Sequence, residues 1–221
     1  MSAAKISVAK KAIDYIKKKL SKDTILGVGT GSTINFFIRE LDAIKHFFRG
    51  AVSSSEVTSK LLKELNIDVF SLNDVNQIDF YIDGADEVSP HNFLIKGGGG
   101  AHTREKIVAS ASNEFICIVD DSKHSDLLGK FPLPIEVLEI ARSAISREIM
   151  KMGGKPIYRN GFITDNGNQI IDVHNLLIEV PFELEEKINN IPGVVENGIF
   201  SNRKADVIVK AKDKEVEILD Q

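Results

Sequence analysis

A chain of 221 residues is long enough for one large domain or two modest ones, and 43% hydrophobic residues supply a core of ordinary size. A net charge of -4 excludes a generalised basic surface, so the expected partner is a small molecule, with no nucleic acid and no membrane. The single cysteine, Cys117, excludes an internal disulfide and reads as a buried strand thiol in the apolar run FICIV, in keeping with a reducing compartment.

The first predicted element is a helix from Ile6 to Leu20. Ile6, Ala9, Ile13, Ile16 and Leu20 recur at helical spacing, lysines fill the other face, and Lys5 stands at the helix start, where it can reach a ligand. This lysine-broken stretch holds neither a signal-peptide core nor a spanning run, and a cytoplasmic location is expected. The pattern then alternates: an apolar run TILGV, a turn GTGST, a helical STINFFIRELDAI, a run GAVSS and a helical EVTSKLLKEL. Runs at DFYID, FLIK and FICIV follow, with a helical TREKIVASA between the last two. Strands alternating with helices predict a parallel sheet covered on both faces.

Near FPLPIEV the pattern changes. A strand from Leu133 to Leu138, a helix from Ser143 to Met152, strands around KPIYR and NQIIDVHN, a helix PFELEEKINNI and a strand VVENGIF follow in turn. The order βαββαβ is that of a ferredoxin-like module. The closing ADVIVKA reads as a buried strand returning to the first sheet. The expected architecture is α/β: a parallel-sheet, Rossmann-like main domain of residues 1–130 plus 201–221, with a smaller α+β domain of residues 131–200 inserted in it.

Four clusters fall where predicted strands end, which is where open parallel sheets bind ligands. In GVGTGST, the backbone amides, the hydroxyls of Thr30, Ser32 and Thr33, and a helix N-terminus make an anion site suited to phosphate. The dinucleotide fingerprint needs glycine where Ser32 stands, and the P-loop needs a Gly-Lys pair that is missing. A tight turn with a serine or threonine N-cap accounts for this stretch almost as well. In DGADE, Asp83 and Asp86 can accept hydrogen bonds from sugar hydroxyls or move protons. A metal site and an acidic turn without function compete with that reading, although no His or Cys stands at ligand spacing.

In IKGGGGAHTREK, four glycines separate the strand FLIK from a helix. Each ordered glycine costs about 0.5–1 kcal/mol relative to alanine. A linker is out of place between a strand and a helix, so close approach of backbone to a bound molecule explains the run better. Glu105 then falls in the first helical turn, and Lys96 offers its charge to a developing oxyanion. Taken alone, Glu105 reads equally as a capping or dipole-complementing acid. The fourth cluster is DDSK, where Lys123 either pairs with a phosphate or caps a helix from solvent. Together the clusters point to an enzyme acting on a phosphorylated polyol.

These motifs in this order resemble ribose-5-phosphate isomerase of the A type, and the C-terminal βαββαβ module matches as well. The resemblance implies cofactor-free interconversion of ribose 5-phosphate and ribulose 5-phosphate in the pentose phosphate pathway, by a homodimer or homotetramer. It assigns Glu105 as general base, and Lys96 with Gly97, Gly98 and Gly99 as the segment holding substrate and stabilising the oxyanion. Asp83 and Asp86, with Gly84 and Ala85 between them, match the pair that engages hydroxyls and assists ring opening. Thr30, Gly31, Ser32, Thr33 and Lys123 match substrate-binding positions near the phosphate, and Lys5 aligns with an N-terminal lysine of the family. His102 departs from the apolar residue expected there and is left out of the site. Two rivals remain: a sugar-phosphate sensor of a transcription regulator, for which the segment before GVGTGST offers too little room for a helix-turn-helix, and an acyl-CoA transferase, which the DGAD acids argue against.

Overall fold

The computed structural model describes residues 2–212 and 215–220. In chain order the elements are α1 (Ser2–Lys17), β1 (Ile25–Val28), α2 (Ser32–Leu41), β2 (Gly50–Ser53), α3 (Glu56–Glu64), β3 (Ile78–Asp83), β4 (Glu87–Val88), β5 (Leu94–Ile95), α4 (His102–Ser110) and β6 (Ser112–Asp120). They continue with β7 (Leu133–Val137), α5 (Arg142–Lys151), β8 (Lys155–Tyr158), β9 (Gln169–His174), α6 (Pro181–Asn189), β10 (Val194–Asn197), β11 (Ile199–Phe200), β12 (Val207–Lys212) and β13 (Glu215–Asp220). The chain divides into two compact units. The first takes Met1–Gly84, Arg104–Ser122 and Ala205–Gln221, and the second takes Ala85–Thr103 and Lys123–Lys204.

The first unit is built on a six-stranded sheet in the order β13-β12-β6-β3-β1-β2. Its strands are parallel except for β13, which pairs antiparallel with β12 at the edge. The alternation of Val216 and Ile218 with glutamates carries this strand, which the sequence reading did not anticipate. One face buries Leu26, Val28, Phe80, Ile82, Ile116 and Ile118 against Val8, Ala12 and Ile16 of α1 and Ile34, Phe37 and Leu41 of α2. Those helical residues recur three and four apart, so each helix turns a single apolar stripe inward. Cys117 is fully buried in β6, as expected.

The second unit contains the βαββαβ module, with its antiparallel sheet ordered β10-β7-β9-β8. Ile145 and Ile149 of α5 and Ile188 of α6 join Ile135, Val137, Ile171 and Val173 in one core. A separate three-stranded sheet, β11-β5-β4, belongs to the same unit. It corrects the reading of FLIK as a strand of the parallel sheet. Only Leu94 and Ile95 are in strand, paired antiparallel with Ile199–Phe200 and Glu87–Val88. The long run VVENGIF breaks at Gly198, which passes from the four-stranded sheet to this small one. A Cβ there would lie 2.3 Å from the Lys96 carbonyl oxygen. Residues 85–103, 123–130 and 201–204, expected with the larger domain, therefore cluster with the second unit, because Ile95 and Leu128 pack into its core.

Candidate active site

In the first unit the turn after β1 is organised by one carboxylate. Asp83, at the end of β3, is fully buried, and its Oδ1 accepts hydrogen bonds from the amides of Thr30 at 3.1 Å and Gly84 at 2.7 Å. Its Oδ2 accepts the Tyr81 hydroxyl. The three glycines of GVGTG answer three different needs. A Cβ on Gly27 would meet the Tyr81 ring at 2.8 Å, and one on Gly29 would meet Asp83 Cγ at 1.9 Å, whereas Gly31 has open space but a φ of +108°. Gly31 is the N-cap of α2, with no side-chain cap hydrogen bond. The serine or threonine cap weighed from the sequence is thus not formed, and the first-turn amides face outward with the helix dipole behind them. Ser32 Oγ accepts from Lys5 Nζ at 2.8 Å, which brings a cation to that terminus. Thr30 Oγ1 accepts from Ser55 Oγ at 3.1 Å, and Thr33 is half-buried in the first turn of α2.

Glu105 belongs to the same unit. It lies in the first turn of α4 but is only 4% exposed, unlike a surface acid that merely complements a helix dipole. A buried carboxylate is costly unless it is paired or hydrogen-bonded. The Tyr81 phenol registers its presence: burial, then the charges of Asp83 and Glu105, raise the Tyr81 pKa well above the usual tyrosine value. Tyr81 was missed in the sequence, where DFYID reads simply as core. Its ring packs tilted on Phe115 with centroids 5.0 Å apart, and its hydroxyl is what joins the site.

In the second unit Lys96 is 3% exposed, and its Nζ sits 5.6 Å from the centroid of the Phe200 ring. The loop that follows is a turn closed by Gly100 N–H donating to the Gly97 carbonyl at 2.9 Å. Gly97 has a φ of +106°, and a Cβ on it would strike the His102 ring at 2.7 Å. Asp86, half-buried, accepts the Gly98 amide on Oδ2 at 2.7 Å. Gly99 is exposed with nothing near its would-be Cβ. Glu87 turns elsewhere and accepts the amides of Gly129, Lys130 and Phe131. The acids of DGADE therefore serve separate sets of backbone amides, an arrangement unlike convergent metal ligation, and no metal-holding group of three or more His, Cys, Asp or Glu occurs among the described residues.

Ala85 is half-buried at the start of the second unit, and Lys123 is half-buried at the end of a single helical turn after β6. His102 is fully buried, with Nε2 3.2 Å from the Glu196 carbonyl oxygen. The structure thus gathers Thr30, Gly31, Ser32, Thr33, Asp83, Gly84 and Glu105 in the first unit. Asp86, Lys96, Gly97, Gly98 and Gly99 are gathered in the second.

Two further groups escaped the sequence reading. Glu136 of β7 is fully buried and accepts hydrogen bonds from Thr103 Oγ1 at 2.5 Å, Thr164 Oγ1 at 2.8 Å, and the side-chain amides of Asn166 and Asn168. Burial pushes its pKa up, but these donors outweigh burial and hold it below the usual carboxylate range. All of these residues belong to the second unit. Arg159 forms the other group. Its guanidinium pairs with Asp172 and reaches the glycine loop.

The family model for ribose 5-phosphate isomerase A (phosphoriboisomerase A) matches residues 50–214. Ribose 5 phosphate isomerase A from Neisseria gonorrhoeae is 48% identical, with a TM-score of 0.93 over 98% of this chain and 95% of that one. The ribose 5-phosphate isomerase A of Methanocaldococcus jannaschii is 43% identical, with a TM-score of 0.90 over 98% of each chain. A D-ribose-5-phosphate isomerase in complex with phospho-erythronic acid is 38% identical, with a TM-score of 0.92 over 98% of this chain and 97% of that one. By sequence and by fold, the chain belongs to the ribose 5-phosphate isomerase A family.

Proposed function

We propose that this protein interconverts D-ribose 5-phosphate and D-ribulose 5-phosphate, in the non-oxidative branch of the pentose phosphate pathway, by proton transfer through an enediolate. The observation that carries this reading is a buried carboxylate, Glu105, set in the first turn of a helix, whose charge helps to raise the pKa of the buried Tyr81 phenol that donates to Asp83. In the aldose-to-ketose direction Glu105 removes the C2 proton, the C1 carbonyl oxygen becomes the oxyanion, and Glu105 returns the proton to C1. The O2 hydroxyl proton passes to O1, so the sugar is isomerised with no net change in atoms or electrons. Lys96 and the Gly97–Gly99 segment hold the substrate and stabilise the oxyanion, because fixed donors aimed at developing charge lower the barrier.

Asp86 and Asp83 engage the sugar hydroxyls and assist ring opening, with Asp83 also holding the Thr30 and Gly84 amides in place. The uncapped start of α2, with Ser32, Thr33 and Lys5, takes the phosphate together with Lys123. The phosphate-bearing acid bound by the 38% identical isomerase supports a ligand of this class. The enediolate route calls for no organic cofactor or metal, and we place the enzyme in the cytoplasm as a homodimer or homotetramer. Glu105→Gln tests the assignment. A positioned general base contributes about 10²–10⁴ in rate, so turnover should fall at least about a hundredfold while sugar phosphate still binds. Turnover close to wild type would remove Glu105 from the role.

A further inference from the structure

Arg159, just past β8, forms a two-point pair with Asp172 of β9. Nε donates to Oδ2 at 2.8 Å and Nη2 to Oδ1 at 2.5 Å. A bidentate pair of this kind fixes the plane of the guanidinium. Two further donors go to the glycine loop, with Nη2 3.2 Å from the Gly97 carbonyl oxygen and Nη1 3.2 Å from that of Gly98. The Phe162 ring, whose centroid lies 5.3 Å from the guanidinium carbon, backs the same group, and it leaves no room for a side chain at Gly100, where a Cβ would meet it at 2.3 Å.

The consequence follows from peptide planarity. In a trans peptide the C=O and the following N–H point in opposite directions, so gripping a carbonyl aims the next amide away from the grip. With the Gly97 carbonyl held by Arg159, the Gly98 amide is directed to Asp86, to which it donates at 2.7 Å. With the Gly98 carbonyl held as well, the Gly99 amide is directed away from the guanidinium, on a residue that is exposed. Four consecutive glycines have no side chains to set these orientations themselves. We propose that Arg159, anchored by Asp172, is a positioning residue that sets the Gly97–Gly99 peptides so that the Gly99 amide, beside Lys96, donates to the enediolate oxyanion. This rests on the isomerase reading and adds to it a residue of the small module.

The test is steady-state kinetics on Arg159→Lys, Arg159→Ala and Asp172→Asn, with thermal unfolding of each. Lysine keeps the charge but cannot span a carboxylate and two carbonyls. Because a 1 Å misplacement of catalytic groups costs up to about a hundredfold, kcat should fall about tenfold to a hundredfold in both Arg159 variants. KM for ribose 5-phosphate should move less than about threefold, since the lost contact is made chiefly in the transition state. Competitive inhibition by inorganic phosphate should be unchanged, and hydrogen exchange at the Gly98 amide should quicken. If Arg159→Ala does not fold, Arg159→Lys and Asp172→Asn carry the comparison. An active wild type with folded Arg159 variants within about twofold of its kcat would overturn the positioning role alone. A wild type without isomerase activity would overturn the underlying reading and this role with it.

Discussion

Replacing Gly29 by alanine introduces one methyl group at the most constrained point of the turn. Its Cβ would lie 1.9 Å from Asp83 Cγ and 2.0 Å from Oδ1, and Asp83 is fully buried. Carbon atoms rest at about 3.5–4.0 Å, so carboxylate and turn must separate by roughly 1.5 Å. That movement carries the 3.1 Å bond from the Thr30 amide and the 2.7 Å bond from the Gly84 amide out of hydrogen-bond range. Hydrogen bonds to charged groups contribute about 1.5–3 kcal/mol each, so losing two predicts a destabilisation of about 3–6 kcal/mol. Gly31→Ala is the matched control. It has open space but a positive φ with an extended ψ, and should cost about 1–3 kcal/mol. Urea unfolding followed by circular dichroism reads both. With a slope of about 1–3 kcal/mol per molar, Gly29→Ala should lower the midpoint by about 1 M or more. A Gly29→Ala midpoint equal to or above that of Gly31→Ala would refute the view that Asp83 holds the turn.

Two other predictions concern the second unit. Lys96→Ala should lower turnover more than it raises KM, because the proposed oxyanion contact strengthens in the transition state; a raised KM with unchanged turnover would make Lys96 a ground-state binding residue. Glu136→Gln should destabilise the protein by about 1–3 kcal/mol at neutral pH, since an amide cannot accept from all the donors that converge on the carboxylate. The folded carboxyl titrates below its unfolded value, so its stabilisation is present above about pH 4.3 and lost as the pH falls through the folded pKa. Wild type and variant should therefore converge in acid, as followed by thermal unfolding across pH, and a constant gap would contradict the assigned cause.

Much of this was legible because local patterns carry it. Helical stripes in α1 and α2 follow from a period of 3.6, β6 from a near-continuous apolar run, and the βαββαβ order from the succession of such segments. The turn GVGTGST was legible as a turn, but the separate reasons for its glycines were not. Gly27 makes room for a tyrosine, and Gly29 for an aspartate, each many residues away in the chain. Tyr81 looks like any core aromatic until its hydroxyl is seen on Asp83. Arg159 and Glu136 carry no motif, because what they hold, the Gly97–Gly98 carbonyls and Thr103, comes near only through the pairing of distant segments. FLIK misled for the same reason. An apolar run of four does not say which sheet will take it, and here that choice depended on Gly198.

The central claim is that Glu105 moves a proton between adjacent carbons of an open-chain sugar phosphate. The most direct measurement is conversion of ribose 5-phosphate by the wild-type protein in D₂O, with the ketose analysed for deuterium at C1. A carboxylate that takes the proton exposes it to exchange before returning it, so the account predicts ribulose 5-phosphate labelled at C1, and loss of both ketose and label with Glu105→Gln. Ketose formed by Glu105→Gln at the wild-type rate, with or without deuterium at C1, would contradict it.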